Sequence, residues 1–248
     1  MNSIGIIPAR YASTRFPAKP LADIKGKPMI QRVYEQAKKA SALDHVVVAT
    51  DDQRIFEAVL AFGGEVIMTS QEHQSGTDRC LEAAQKMEMD FDVVLNIQGD
   101  EPFISPDQID LILSCFTQEN TEIATLVKLI EDDKTLWDPN KPKVVMDDDD
   151  FAILFSRQCI PYLRGKEKDK WIETFNFYKH IGMYAYRFET LKELCSLKAS
   201  RLEKAENLEQ LRWIEGGYRI KTAITEDEAF SIDTPEDLQE LLKLEFKT

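Results

Sequence analysis

The first half of the chain repeats one pattern, a short apolar run followed by a stretch whose apolar residues recur at helical spacing. The apolar runs cover 3–7, 45–50, 65–69 and 92–100, and the helical stretches cover 28–40, 53–64, 75–87 and 105–116. Continuous apolar runs are typical of parallel strands that are buried on both faces. Regular alternation of strand and helix therefore predicts an α/β fold, doubly wound around a mostly parallel central sheet.

The second half has a different pattern. Strand-like segments predominate between about 120 and 190, with one short helical stretch, EDDKTLWD, among them. Helical stretches around 189–197 and 204–214, a strand over 218–225 and a last helix in TPEDLQELLK follow. We interpret the strand-rich part as an antiparallel extension of the sheet. No linker-like tract or internal repeat separates the halves, so we predict one domain over 1–248 with an extension around 120–190.

Charge and cysteine content exclude several classes of function. The net charge is −13, whereas nucleic-acid surfaces and anionic membranes require a basic face. The N-terminus has no signal-like segment, and no apolar run approaches the length of about 20 residues that spans a bilayer. The four cysteines lie far apart without a CxxC motif, which favours reduced thiols. We therefore expect a cytoplasmic protein that binds no nucleic acid and does not insert into membranes.

A basic, proline-rich loop follows the first apolar run, in IIPARYASTRFPAKPL at 6–21. Arg10, Arg15 and Lys19 give this loop three positive charges, and it contains no glycine. Arg and Lys make charge-assisted hydrogen bonds to phosphate oxygens. Ligands of open α/β sheets bind at the carboxyl ends of the strands. The loop therefore predicts a phosphate site, and a solvated basic turn is the alternative.

Two aspartates are candidates for a metal site. Asp100 follows the fourth apolar run, in IQGDEP, where a hard divalent cation that bridges phosphates needs a carboxylate. Gln98 lies two residues earlier on the same side of an extended chain, and Gly99 permits a ligand to approach the backbone closely. Asp233, in SIDTPEDL, is the second candidate if the fold brings it to Asp100, and an ordinary helix cap is the alternative. We interpret DDDD at 147–150 as a solvated hairpin loop instead.

Two other segments carry polar residues suited to a ligand. HQSGTDR at 73–79 places hydroxyls, a glycine and backbone N–H groups at a predicted helix N-terminus, although His73 is equally compatible with a structural role. Positions 180, 182 and 184 of YKHIGMYAYR are expected to share one face of a strand, which suits a polyhydroxy acid. A half-buried strand with ordinary polar caps is the alternative for this second segment.

Seven segments together resemble the 3-deoxy-manno-octulosonate cytidylyltransferase family: PARYASTRFPAKPL, HQSGTDR, NIQGDEP, FSR, KHIGMYAYR, LEQLRW and IDTPEDL. They follow in order from residue 4 to about 240, and the first two form a highly specific pair. Phe16 and Ala18 depart from the residues common in the first motif, and neither has a charged role. The resemblance implies a GT-A-like nucleotidyltransferase fold, a homodimer, and Mg²⁺-dependent transfer of CMP from CTP to the anomeric hydroxyl of Kdo (3-deoxy-D-manno-oct-2-ulosonate). Pyrophosphate would leave, and the product would serve lipopolysaccharide synthesis.

The resemblance also assigns roles by position in the matched motifs. Catalytic roles go to Arg10, Arg15, Lys19, Asp100 and Asp233, of which the two aspartates would hold the metal. Nucleotide binding is assigned to the three basic residues and to His73, Ser75, Gly76, Thr77 and Gln98. Sugar-acid binding is assigned to Gln98, Arg157, His180, Tyr184, Glu209 and Gln210. The extension around 120–190 would serve sugar binding and dimerisation.

Three alternatives stay open at this point. The acceptor could be another sugar acid, such as 8-amino-Kdo or a nonulosonic acid. A non-catalytic nucleotide-binding protein would keep the basic loop but would have no use for two metal aspartates. A GT-A glycosyltransferase typically carries a DxD motif, and the fourth apolar run ends in QGDEP instead.

Overall fold

The computed structural model describes residues 1–12, 16–228 and 230–243. They form two compact units. Unit 1 contains Met1–Asp110 and the C-terminal segment that carries the last helix, and unit 2 contains Leu111–Glu228. The prediction of one domain over 1–248 stays a prediction. Within the described residues, no helix has the length and apolar character required to cross a bilayer.

Unit 1 is built on parallel strands, as predicted. In chain order its strands are β1 (Ser3–Ala9), β2 (Asp23–Ile24), β3 (Lys27–Pro28), β4 (His45–Thr50), β5 (Val66–Met68) and β6 (Val93–Asn96). The parallel set has the order β6-β1-β4-β5, and β2 and β3 form a separate antiparallel ribbon. Ala9 pairs with Thr50, and Ile6 with Asn96, so the carboxyl ends of these strands share one edge.

Four amphipathic helices follow these strands: α1 (Met29–Ala37), α2 (Gln53–Ala61), α3 (Gly76–Lys86) and α4 (Pro106–Ser114). Each begins and ends within a few residues of its predicted limits. α1 buries Met29, Ile30 and Val33 because these residues recur on one face at helical spacing. α2 starts at Asp52, whose carboxylate accepts a hydrogen bond from the Arg54 backbone N–H.

Unit 2 confirms the predicted antiparallel part. Its elements are β7 (Ile123–Leu129), α5 (Asp133–Trp137), β8 (Lys143–Met146), β9 (Ala152–Ser156), α6 (Trp171–Thr174), β10 (Tyr178–Arg187), α7 (Phe188–Ser196), α8 (Arg201–Glu206), α9 (Gln210–Glu215) and β11 (Ile220–Ile224). β10 runs antiparallel to β7 and β8, and β8 runs antiparallel to β9. β11 pairs with β7 in parallel.

The last helix, α10 (Pro235–Lys243), belongs to unit 1. Leu238 and Leu241 pack with Ile232 against Ile24 and Met29. The backbone N–H of Ile232 donates to the carbonyl oxygen of Asp100 at 2.9 Å. These contacts place the segment around Asp233 beside the loop that follows β6.

Two local predictions for unit 2 are corrected. The stretch 204–214 is not one helix, because Asn207 adopts the left-handed conformation (φ 51°) and ends α8 before α9 begins. β10 does not alternate regularly, because its register moves from Ile181 opposite Leu126 to Tyr184 opposite Thr125. Two residues are therefore added on β10 at this bulge.

The acidic tetrad at 147–150 lies in the hairpin between β8 and β9, as predicted. The carboxylate of Asp147 accepts hydrogen bonds from the backbone N–H groups of Asp149 and Phe151. It also pairs with Arg219 at 2.9 Å. Through these bonds the Asp147 side chain stabilises the turn, as aspartate side chains commonly do.

Candidate active site

A cleft of about 440 Å³ opens in unit 1 beside the carboxyl ends of β1 and β6. It is lined by Pro8, Ala9, Arg10, Ala12, Lys19, Pro20, Gln74, Gly76, Gln98, Gly99 and Asp100. Four of the residues predicted to bind the nucleotide are in this lining, namely Arg10, Lys19, Gly76 and Gln98, together with the predicted metal ligand Asp100. The position agrees with the rule that ligands of α/β sheets bind at the carboxyl ends of strands.

Lys19 joins the two predicted metal aspartates. Its Nζ lies 2.8 Å from Asp100 Oδ2 and 3.7 Å from Asp233 Oδ1. The same ammonium donates to the carbonyl oxygen of Ile232 at 3.0 Å. The structure therefore brings together two carboxylates that are more than a hundred residues apart in sequence, around a single positive charge.

Asp237 holds Asp233 in place, and sequence reasoning missed this residue. One carboxylate oxygen of Asp237 accepts from the backbone N–H groups of Asp233 and Thr234, both at 2.8 Å. The Asp237 N–H in turn donates to the Thr234 hydroxyl at 3.2 Å. Burial acts to raise the pKa of Asp237, and the backbone hydrogen bonds outweigh it, so the pKa is lowered. Thr234 thus caps α10, which leaves the Asp233 carboxylate directed at Lys19.

The two aspartates fit a hard divalent cation. Asp100 Oδ2 and Asp233 Oδ1 already converge on one cationic group, and carboxylate oxygens are the ligands that Mg²⁺ prefers. Within 1–12, 16–228 and 230–243, no three His, Cys, Asp or Glu side chains cluster as a metal site. A cation held here would take its other oxygens from phosphate or water, as Mg²⁺ commonly does.

Arg10 is anchored by the backbone of His73. The Arg10 Nη2 atom donates to the His73 carbonyl oxygen at 2.6 Å, and the His73 ring contacts the Glu82 carboxylate. Burial acts to raise the pKa of Glu82, but hydrogen bonds from Lys86, the Ser70 N–H and His73 lower it to about 2. His73 therefore has a structural contact through its ring and orients Arg10 through its backbone, and its predicted nucleotide role stays a prediction.

The predicted HQSGTDR segment forms the start of α3. The Ser75 hydroxyl and the Asp78 carboxylate make a reciprocal capping box, so this hydroxyl is engaged within the helix. Thr77 is buried, whereas Gly76 lines the cleft. Of the predicted residues in this segment, Gly76 is therefore the one at the cleft surface.

Gly99 packs closely against β1, because a Cβ at this position would lie 2.9 Å from the Pro8 carbonyl oxygen. Gly99 also lines the cleft, and the predicted approach of a ligand to its backbone stays a prediction. Gln98, next to it, does line the cleft. Arg15 lies outside the described residues, and its predicted phosphate role stays a prediction.

A second polar site lies in unit 2, around His180 and Tyr184. The ring centroids of these residues are 5.1 Å apart despite the bulge between them, and Phe155 packs edge-on against His180 at 5.2 Å. Burial lowers the pKa of His180 to about 3. Burial, reinforced by the nearby Glu209 carboxylate, raises the pKa of Tyr184 well above its ordinary value. Both side chains are therefore uncharged near pH 7.

Two buried polar atoms of this site have no hydrogen-bond partner within the part of the chain that the structure describes. They are Tyr184 Oη and Gln210 Nε2, on side chains more than nine-tenths buried. The Thr125 hydroxyl lies near enough to Tyr184 to act against the rise in its pKa, but without the geometry of an ordinary hydrogen bond. Trp213, on the same helix as Gln210, packs edge-on against Tyr184 at 4.9 Å. A buried polar group without a partner is costly, and each such group in a native protein requires an explanation. A polar ligand that bonds both atoms would supply one.

Arg157 is held by backbone groups. Its Nε, Nη1 and Nη2 atoms donate to the carbonyl oxygens of Glu206, Pro139 and Asn207 at 2.6, 3.0 and 3.2 Å. The Glu206 carboxylate also accepts from the Arg157 backbone N–H. At least three of five guanidinium donors are therefore engaged, and binding of a ligand carboxylate by Arg157 stays a prediction.

Comparison with known proteins agrees with this geometry. The family described as cytidylyltransferase matches residues 4–247. The chain is 60% identical to the 3-deoxy-manno-octulosonate cytidylyltransferase of Parabacteroides distasonis, over 98% of this chain and 97% of that one. The corresponding protein of Bacteroides thetaiotaomicron is 57% identical over 96% of each chain.

Solved structures give the same result. The structure of CMP:2-keto-3-deoxy-manno-octonic acid synthetase complexed with CTP has a TM-score of 0.90 and 41% identity, covering 98% of this chain and 97% of that one. A cytidylyltransferase from Leptospira borgpetersenii, at 18% identity, covers 98% of this chain and 85% of its own with a TM-score of 0.62, which supports the fold alone. The chain belongs to the cytidylyltransferase family and, within it, to the 3-deoxy-manno-octulosonate cytidylyltransferases.

Proposed function

We propose that this chain transfers CMP from CTP to the anomeric hydroxyl of Kdo, with Mg²⁺ as cofactor, and releases pyrophosphate. The observation that carries the proposal is the convergence of Lys19, Asp100 and Asp233 in the cleft of unit 1. The names of the curated relatives and the CTP bound to a 41% identical structure support the choice of both substrates. The product is a precursor for lipopolysaccharide synthesis.

The cleft can bind a triphosphate through side-chain charge. Lys19 and Arg10 present cationic groups beside the carboxyl end of β1, and Arg15 is proposed to add a third. When bound to Asp100 and Asp233, Mg²⁺ would neutralise phosphate oxygens that otherwise repel the incoming hydroxyl. Lys19 is well placed to stabilise the negative charge that develops on pyrophosphate as it leaves.

The site in unit 2 has the chemistry expected for the sugar acid. Tyr184 Oη and Gln210 Nε2 are buried donors, and His180 is a neutral ring whose Nδ1 atom is available for hydrogen bonding. Uncharged donors and acceptors of this kind match the hydroxyl groups of a polyhydroxy acid. Glu209, next to Gln210, is proposed to accept from another hydroxyl.

We further propose that no protein side chain acts as a general base with a pKa near neutrality. An efficient base has a pKa close to the working pH, and the pKa of His180, at about 3, is far below it. The dependence of kcat on pH tests this point. A bell-shaped profile set by a protein group that titrates near pH 7 would contradict it.

The deciding experiment measures pyrophosphate release with Mg²⁺ and a panel of sugar acids against CTP, UTP and ATP. We expect release with CTP and Kdo, and much less with either of the other nucleotides. Preference for 8-amino-Kdo or a nonulosonic acid would change the acceptor but keep the reaction. Binding of CTP without release with any sugar acid would overturn the proposal in favour of a non-catalytic nucleotide-binding protein. The homodimer and the cytoplasmic location stay predictions.

A further inference from the structure

We infer that Thr125 is a positioning residue that holds His180 in the tautomer with its proton on Nε2, so that Nδ1 accepts a hydrogen bond from a ligand hydroxyl. The identity of that ligand as a sugar acid rests on the proposed function. The tautomer itself depends only on the geometry of unit 2. Thr125 lies in the middle of β7 and is fully buried.

The bulge in β10 explains why a threonine hydroxyl is needed at this position. Where the register shifts between Ile181 and Tyr184, regular strand pairing is interrupted. The carbonyl oxygens of Met183 and Ile181 instead face Thr125 Oγ1, at 2.7 and 3.3 Å. The Thr125 hydroxyl therefore ties the bulged part of β10 to β7 through these two carbonyl oxygens.

Counting protons then determines the state of His180. A carbonyl oxygen can only accept a hydrogen bond, so the single hydroxyl proton of Thr125 is directed to Met183, whose oxygen is nearer. Thr125 Oγ1 is left with lone pairs, and His180 Nε2 lies 3.1 Å from it. Nε2 must therefore be the donor and carry the proton. The opposite tautomer would leave two acceptors facing each other, or the Met183 carbonyl without its bond.

The remaining nitrogen, Nδ1, is then an acceptor. Burial keeps the ring neutral, so Nδ1 holds a lone pair and not a proton. The His180 ring has no other hydrogen bond to the described residues, and the residue as a whole is partly exposed. Tyr184, whose ring contacts His180, carries one of the unpartnered polar atoms of the same site. A ligand hydroxyl that donates to Nδ1 completes this arrangement.

The test compares Thr125→Val, which removes the hydroxyl at nearly constant shape, with Thr125→Ser, which retains it. Thr222→Val is the matched control, because Thr222 is also buried in unit 2 but donates to the Asp150 carbonyl and not to the His180 ring. Imidazole ¹⁵N–¹H NMR of the free protein reports which ring nitrogen carries the proton. Steady-state kinetics reports KM for Kdo and for CTP separately.

We expect the NMR signals of wild type, Thr125→Ser and Thr222→Val to show protonation of Nε2, and those of Thr125→Val to show Nδ1 protonation or a mixture. We expect Thr125→Val to raise KM for Kdo about tenfold and to leave KM for CTP unchanged, with Thr125→Ser close to wild type. A proton on Nδ1 in the wild type would overturn the inference. An unchanged tautomer and unchanged KM in a folded Thr125→Val variant would do so as well. If the expected tautomers appear but Kdo is not a substrate, the proposed function fails and the role of Thr125 in fixing the ring stands.

Discussion

The two units of the chain carry polar sites of opposite character. In unit 1 an ammonium group and two carboxylates form a partly exposed cluster, in which the ammonium group contacts both carboxylates. In unit 2 a histidine and a tyrosine are held neutral by burial, and two buried polar atoms lack a partner. The first site suits a polyanion that arrives with a cation, and the second suits hydroxyl groups.

The difference has consequences for selectivity. Charge-assisted bonds are strong and require a charged partner on the ligand. A site with buried, uncharged donors rejects analogues that leave those donors unpaired, by factors of about 10⁴ in favourable cases. We therefore expect discrimination among sugar acids to depend on unit 2, and discrimination between ligands of different charge to depend on unit 1.

The largest expected effect comes from removing the central charge of unit 1. Lys19→Ala should lower kcat/KM by about 10²–10³, because a contact that stabilises developing charge is lost. The variant should still unfold cooperatively, since Lys19 lies at the cleft and not in the hydrophobic core. Lys38→Ala, at an exposed position after α1, is the matched control and should retain wild-type activity. Full activity of Lys19→Ala would show that Lys19 does not stabilise the charge that develops on pyrophosphate.

The next effect tests whether His180 is neutral in the folded protein. The ordinary pKa of histidine is 6.5 and burial lowers that of His180 to about 3, so the unfolded chain takes up a proton that the folded chain does not. Stability should therefore fall as the pH drops from 6.5 toward 3, by about 1.4 kcal/mol per pH unit at most.

Urea unfolding of wild type and His180→Asn at a series of pH values measures how much His180 contributes to the pH dependence of stability. The variant lacks the titrating ring, so its stability should fall less steeply. Between pH 6 and pH 4, the free energy of unfolding of the variant should decrease by about 2 kcal/mol less than that of the wild type. Parallel curves for the two proteins would show that His180 is protonated equally in the folded and unfolded states.

A smaller effect is expected for the buried hydroxyl of Tyr184. Tyr184→Phe should leave the free energy of unfolding unchanged or slightly higher, because it removes a buried group that has no partner. It should raise KM for Kdo about tenfold with KM for CTP unchanged, because the ligand loses one hydrogen bond. Tyr218→Phe, which removes an exposed hydroxyl bonded to Glu193, is the control. A loss of stability without a change in KM would indicate a structural role for Tyr184.

The smallest effect concerns the support of Asp233. Asp237→Ala removes the carboxylate that accepts from the Asp233 and Thr234 backbone, and loss of such a cap costs about 1 kcal/mol of stability. Activity should fall severalfold, because Asp233 is no longer directed at Lys19. Glu240→Ala, exposed on the same helix, should change neither quantity. Equal activities for the two variants would show that the cap does not position Asp233.

The elements that were predicted correctly from the sequence are those with a strong local pattern. Continuous apolar runs determined the parallel strands of unit 1, and the position of a basic loop after the first of them indicated the cleft. The acidic hairpin at 147–150 was also evident, because four charged residues between two apolar runs have no place in a core. Local pattern is sufficient in these cases because burial of apolar residues dominates the energetics.

Contacts between distant residues were decided by the tertiary structure. Sequence left open whether Asp233 reaches Asp100, and packing of α10 against Ile24 and Met29 brings it there. The bulge in β10 was not predicted, because it depends on the register with β7, although His180 and Tyr184 lie together as expected. Asp237 lies in the motif IDTPEDL at capping-box spacing from Thr234, but its bond to the Asp233 N–H was not predicted. No motif signals Thr125, because the fold places the carbonyl oxygens and the His180 ring that it contacts. The sequence by itself determined the strands, the helices and the chemistry of the loops, because these depend on neighbouring residues. Tertiary structure alone decided which charges meet and which polar atoms stay without a partner, because those depend on distances across the chain.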